Sequence, residues 1–86
     1  MIIPVEMIAH FYPDRIPRPV KFRLKEQDME YTEVKIDRIL AQREEKIGQD
    51  RWIIYKCECI GQNDRKRFAE FKFEKARCRW MLIKIQ

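Results

Sequence analysis

The chain has 86 residues and a formal net charge of +5, with 45% hydrophobic and 38% charged residues. A chain this short buries roughly 60–65% of the surface its unfolded form exposes, so residues 1–86 are expected to form one domain with a modest core and little room for a deep substrate pocket. The balance is 19 basic against 14 acidic residues without a long like-charge run, which excludes a basic tail and favours contact with phosphates or an acidic partner.

The N-terminus, Met1 to Glu6, has no basic stretch and no apolar run ending in small residues, so it does not read as a signal peptide. No apolar run approaches the length of a membrane span. Three cysteines make a poor disulfide framework. These features point to a soluble, cytoplasmic protein with reduced thiols and no membrane contact.

Two-residue periodicity dominates the chain. In Val5–Phe11, Val5, Met7, Ala9 and Phe11 alternate with Glu6, Ile8 and His10. Tyr12-Pro13-Asp14-Arg15 reads as a turn. Arg18–Lys25 is a second strand, with Val20, Phe22 and Leu24 on one face and Lys21, Arg23 and Lys25 on the other. Pro17 and Pro19 at its start suggest an edge. Glu26–Glu30 is a polar connection to a third strand that begins near Tyr31, with Thr32, Val34 and Ile36 on one face.

Beyond Ile36 two readings compete. Ile36, Ile39, Leu40 and Ile47 fit a short helix within 36–47, capped by Asp37 and ended by Gly48. The strand reading needs a bulge near Arg38-Ile39 that re-phases Ile39 and Ala41. It is preferred because strand signals flank the segment on both sides. Trp52–Ile60 is the fourth strand, with Ile53, Tyr55, Cys57 and Cys59 on one face. Gly61–Asp64 is a turn. Arg67–Glu74 is the fifth strand, with Ala69, Phe71 and Phe73 opposite Phe68, Glu70 and Lys72. In the sixth, Cys78–Ile85, Trp80 and Leu82 oppose Met81, Ile83 and Ile85, so both faces are apolar and one is expected to be covered or to meet a partner. The pattern predicts an all-β fold: a six-stranded antiparallel meander curled into a small open barrel.

Catalytic machinery is hard to find. The chain has no serine, a single histidine and no glycine-rich phosphate loop, and the neighbouring carboxylates Glu33 and Asp37, or Glu44 and Glu45, have mostly basic surroundings. No cofactor or small-molecule substrate is implied. Cys57, Cys59 and Cys78, with His10 as a fourth ligand, are the alternative of a metal site, set against three thiols that serve as small core hydrophobes. The clearest remaining signal is basic residues near aromatics. Arg18, Lys21, Arg23 and Lys25 on the second strand, with Arg65, Lys66 and Arg67 after the fourth, form a candidate nucleic-acid face. Phe68 or Trp52 could stack on a base or cover a second small core.

Val5-Glu6-Met7-Ile8-Ala9-His10-Phe11 followed by Ile16-Pro17-Arg18-Pro19-Val20-Lys21-Phe22-Arg23 resembles the start of a family of small uncharacterised bacterial proteins. Val34-Lys35-Ile36-Asp37, Tyr55-Lys56-Cys57 and Cys78-Arg79-Trp80-Met81-Leu82 extend the resemblance over nearly the whole chain. It implies an all-β domain of unknown function. Some members of that family stand alongside translesion-type DNA polymerases, which implies an accessory role in DNA repair or mutagenesis. Many members carry a glycine in the first turn, where this chain has Asp14-Arg15, so the resemblance leaves the turn type open but not the hairpin. The expectation is a non-enzymatic accessory or protein-interaction domain with a protein partner or a second copy of itself, using Pro19–Lys25 or Cys78–Ile85 as an edge. The alternative is a nucleic-acid-binding small barrel.

Overall fold

The computed structural model describes residues 2–25 and 31–86, with Lys25 described by its backbone alone. The connection expected at Glu26–Glu30 lies outside the described residues. Seven strands follow one another: β1 (Ile3–Pro4), β2 (Glu6–His10), β3 (Arg18–Lys25), β4 (Tyr31–Ile47), β5 (Asp50–Ile60), β6 (Lys66–Glu74) and β7 (Arg79–Ile85). They form one antiparallel sheet in the order β1-β7-β6-β5-β4-β3-β2.

Only Val5 separates β1 from β2, yet these two strands occupy opposite ends of the sheet. The sheet therefore curls until both its edges meet the N-terminal strand. Ile3 and Pro4 pair with Leu82 and Met81, and the Val5 N–H donates to the Trp80 carbonyl at 3.1 Å. The result is the small, partly open barrel that the periodicity predicts. The seventh strand arises because the first strand breaks at Val5 to serve both edges, next to Pro4, which has no N–H for a ladder.

The inward faces match the alternation except at Val20, which a register shift opposite Ile8-Ala9 makes the extra residue of β3 and leaves exposed. Phe22, Leu24, Val34, Ile53, Tyr55, Cys57, Cys59, Ala69, Phe71, Phe73, Trp80 and Leu82 form one buried cluster. Phe22 meets Phe71 edge-on at 4.8 Å between ring centroids, and Trp80 lies 4.7 Å from Phe73. Such pairs contribute about 0.5–1.5 kcal/mol each beyond the area they bury.

Three expectations are corrected. The helix within 36–47 does not form, because β4 runs unbroken to Ile47 and pairs with β5 along Lys35–Ile47. Two register shifts, between Ile36 and Arg38 and between Ile39 and Ala41, replace the one expected bulge. Asp37 and Leu40 are the extra residues, so Ile39 turns onto the core while Ala41 returns to the outer face. Seventeen residues of straight strand would span about 53 Å. The longest dimension of the molecule is 39 Å, so β4 must coil, and bulges increase strand twist and bend. In β7, a register shift opposite Glu70-Phe71 makes Ile83 the extra residue. Ile85 is thereby turned onto the core and Lys84 faces out, so the last strand is not the two-sided apolar surface that simple alternation predicts. Cys78 falls in the preceding turn with φ 53° and is not part of the strand.

The β4–β5 hairpin closes through Gly48-Gln49, with Gly48 at φ 63°, the conformation a two-residue hairpin loop asks of glycine. A different contact fixes the segment between β2 and β3. The hydroxyl of Tyr55, on the barrel's inner wall, donates to the Pro17 carbonyl. Both residues are buried, so the bond ties the 11–17 segment to the core. Tyr55→Phe leaves the Pro17 carbonyl without its partner, and a buried acceptor left unpaired costs about 1–3 kcal/mol. For a domain of this size that lowers Tm by at least about 4 °C. Thermal unfolding followed by circular dichroism measures the loss, and hydrogen exchange should show faster exchange at residues 15–18. An unchanged Tm would remove this bond from the account.

Candidate functional site

The residues expected to form one basic face are spread over the barrel. Phe22 and Leu24 point inward, so Lys21 and Arg23 point outward from β3, but both carry acidic partners. The Lys21 Nζ lies 3.6 Å from Glu33, and Arg23 lies 3.3 Å from Glu6. The side chain of Lys25 lies outside the described residues. Arg65 is exposed in the turn before β6. Lys66 is held by Glu58 at 3.0 Å. Arg67 opposes Cys59 on the inner side of β6. In the sheet β4 and β5 stand between β3 and β6, and the six cations with described side chains do not gather into one patch.

The outer wall instead carries carboxylates shared between two cations. Glu58 takes Arg38 and Lys66, both at 3.0 Å. Glu70 takes Lys56 at 3.8 Å and Lys84 at 3.6 Å, in one cross-strand row through β5, β6 and β7. At the hairpin end Glu44 takes Arg51 at 3.5 Å and Lys75 at 3.7 Å. Each group keeps one surplus positive charge, so much of the basic balance is dispersed. Aromatic rings outside the core are engaged in the same way. Lys72 sits over Trp52 at 4.5 Å and Arg23 over Tyr31 at 5.2 Å. Phe68 is 45% exposed and makes no ring contact.

The cysteines divide into two environments. Cys57 and Cys59 point into the core and are buried, while Cys78 is exposed. Burial pushes the Cys57 thiol up to about 12 and that of Cys59 to about 11. Neighbouring Cys59 adds to the first shift, and Arg67 opposes the second. Both thiols are therefore protonated at neutral pH and poor nucleophiles. Cys78 follows Glu74, which pairs with Trp52, five residues along β5 from Cys57, or about 16 Å at strand rise. The structure does not bring the three together, and no group of three potential metal-ligating side chains gathers among the described residues. His10 stacks on Tyr12, with ring centroids 4.5 Å apart.

The most distinctive feature lies where β3 and β4 part. Their pairing runs from Lys25 opposite Tyr31 to Lys21 opposite Lys35 and stops there. Upstream of Lys21, β3 pairs with β2 alone, and Pro17 and Pro19 have no N–H to offer another strand. Among the described residues, β4 continues for twelve more, Ile36–Ile47, paired on one side only, with β5. The expected edges are therefore covered in part. Lys21–Arg23 lie between β2 and β4, and Met81 and Leu82 of β7 are met by β1. The long open edge belongs to β4.

Beside that edge is an open cleft of about 430 Å³. One wall is β4 from Asp37 to Gln42, and the other is the segment from Tyr12 to Arg18 that Tyr55 holds in place. Ile16 and Ile39 line it, and both also pack against the core. Arg15, Arg18 and Arg38 stand around it against a single acid, Asp37. The Arg15 guanidinium lies 4.1 Å from the centre of the Tyr12 ring. Of the expected binding residues, Arg18 alone belongs to this cleft. The signal that could have located the rest is the pair of prolines facing a strand much longer than its neighbour.

Two outcomes follow from these environments. With a thiol reagent, the native protein should show one fast-reacting cysteine, Cys78, and all three should react only after unfolding. Rapid labelling of Cys57 or Cys59 in the folded protein would contradict the barrel interior described above. Hydrogen bonds from Lys66 and then Arg38 hold the Glu58 carboxyl below its ordinary value of 4.5. A carboxylate depressed in the folded state stabilises it above the unfolded pKa, and that contribution fades as pH falls through the folded pKa. Glu58→Gln should therefore lower Tm at neutral pH, with the difference from wild type shrinking as pH is lowered to about 3. A gap that stayed constant with pH would rule out the ionic contribution.

The chain matches no protein-family model, no curated protein and no solved structure.

Proposed function

We propose that this is a non-enzymatic interaction domain whose partner is a protein that adds an extended strand to the open edge of β4. The observation that carries this reading is the one-sided pairing of Ile36–Ile47. An unpaired strand edge presents a row of N–H and C=O groups, and an extended segment satisfies them with main-chain hydrogen bonds while side-chain pockets supply selectivity. The cleft alongside supplies such a pocket. In the family that the chain resembles, some members stand beside translesion-type DNA polymerases, which supports a partner from DNA repair.

A second reading, contact with single-stranded nucleic acid, is favoured by Phe68. It stands exposed on the outer wall of β6, two residues beyond Lys66 and close to Lys84 across the sheet, where the shared carboxylates leave surplus positive charge. The first reading is preferred because Tyr12, Tyr31 and Trp52 already hold cations of their own chain and Phe11 packs edge-on against Phe73, which leaves few bare rings on which bases could stack.

The test is positional. A photo-reactive amino acid replacing Gln42, at the β4 edge, should cross-link the partner in cell extract, and the same residue replacing Lys84, on the outer wall, should not. Hydrogen exchange on the resulting complex should show protection along Ile36–Ile47. Cross-linking from Lys84 but not Gln42, or no protection of β4, would overturn the proposal.

A further inference from the structure

We infer that the segment taken up beside β4 is acidic, with Arg15 and Arg18 reading its carboxylates, an inference that rests on the interaction reading above. Of the other arginines, five are neutralised within the chain. Arg23 has Glu6, Arg38 has Glu58, Arg43 has Glu45, Arg51 has Glu44 and Arg79 has Glu74. Arg15 and Arg18 line the cleft, and neither makes an ion pair among the described residues. Arg15 is held over the Tyr12 ring, which fixes a guanidinium in position before any ligand arrives. Guanidinium groups engage carboxylates through paired, charge-assisted hydrogen bonds.

The geometry also sets the pattern of the ligand. Cleft and edge run together from Asp37 to Gln42, about 17 Å of extended chain. A strand added there turns alternate side chains to opposite faces. One set reaches the arginines of the rim, and the other settles against Ile16 and Ile39. The matching sequence alternates acidic with apolar residues. Asp37 disfavours a carboxylate at its own end of the cleft, so the acids belong toward the Arg15–Arg18 wall. A nucleic-acid strand carries the same sign of charge but has no backbone N–H and C=O ladder to match the edge of β4, so the peptide is the better fit.

The experiment uses the full chain and three fluorescent probes: a ten-residue peptide of alternating Glu and Val, its Lys and Val counterpart, and a deca-thymidine oligonucleotide. The acidic peptide should bind, the basic one should not, and added salt should weaken binding. Arg15→Glu and Arg18→Glu should each reduce affinity at least tenfold. Both side chains are exposed, and an unchanged Tm verifies that the variants fold. Equal binding of the two peptides, or indifference to both substitutions, would overturn the inference. Tighter binding of the oligonucleotide, lost in the same variants, would overturn it in favour of nucleic acid. Two further outcomes separate this inference from the reading beneath it. A partner captured at Gln42 whose cross-linked segment is not acidic defeats the acidic specificity alone. Acidic-peptide binding without protection of Ile36–Ile47 defeats strand addition and leaves only a charged patch.

Discussion

The hydrogen bond from the Tyr55 hydroxyl to the Pro17 carbonyl governs the shape of the surface more than any other single contact. It begins in the middle of β5, among Ile53, Cys57 and Phe71 in the buried cluster, and ends on the segment that leaves the barrel between β2 and β3. Desolvation in that core raises the Tyr55 hydroxyl far above its ordinary range, with Cys57 adding to the shift, so it stays a neutral donor at any physiological pH. The carbonyl it reaches belongs to a proline, a residue that can accept a hydrogen bond but not donate one. The 11–17 segment is thereby drawn against the core without supplying a strand to β4. The cleft beside β4 takes one of its walls from the segment this bond holds.

Charge is organised on a similar principle of local closure. A net charge of +5 on 86 residues invites the picture of a basic face. The outer wall dissolves that picture, because cross-strand neighbours place one carboxylate between two cations at Glu58 and again at Glu70. Pairs whose cations stay in solvent contribute modestly to stability, even where, as at Glu58, the carboxylate itself is buried. Their larger effect is on recognition, since a cation already held by a neighbour offers less to a ligand. What distinguishes Arg15 and Arg18 is that they line the cleft with no such neighbour among the described residues to hold them.

The legible part of this protein was its alternation. The inward sets Ile53-Tyr55-Cys57-Cys59 and Ala69-Phe71-Phe73 follow directly from period two, and so does the curled antiparallel sheet. Bulges were less legible, because each adds one residue and reverses every face beyond it. A single bulge expected near Arg38 became two, at Asp37 and Leu40, and the bulge at Ile83 was not visible because apolar residues lie on both sides of it. The cleft was the least legible feature. It depends on two strands of unequal length parting at Lys21 and on a hydrogen bond spanning 38 residues, and neither is a property of a local window. Pro17 and Pro19 did signal an edge at the start of their own strand, and by ending its pairing with β4 they leave β4 open as well.

An open edge is a liability, and proteins usually blunt it with charge and bulges. β4 carries both, but unevenly. Toward the hairpin, Arg43 and Glu45 hold one another and Glu44 holds Arg51 and Lys75, so an incoming strand meets charges of both signs that are already matched. Near the cleft the guard is one-sided, with Arg15 and Arg18 facing the lone carboxylate of Asp37. That asymmetry bears on which strand can enter. If two copies of this chain paired across a two-fold axis centred on the cleft segment, each would bring its own Arg15 and Arg18 toward those of the other, cation against cation. Like charges brought together at an interface suppress the pairing. The arrangement that repels a second copy attracts a segment bearing carboxylates, so one pair of arginines both protects the edge from self-association and selects its partner.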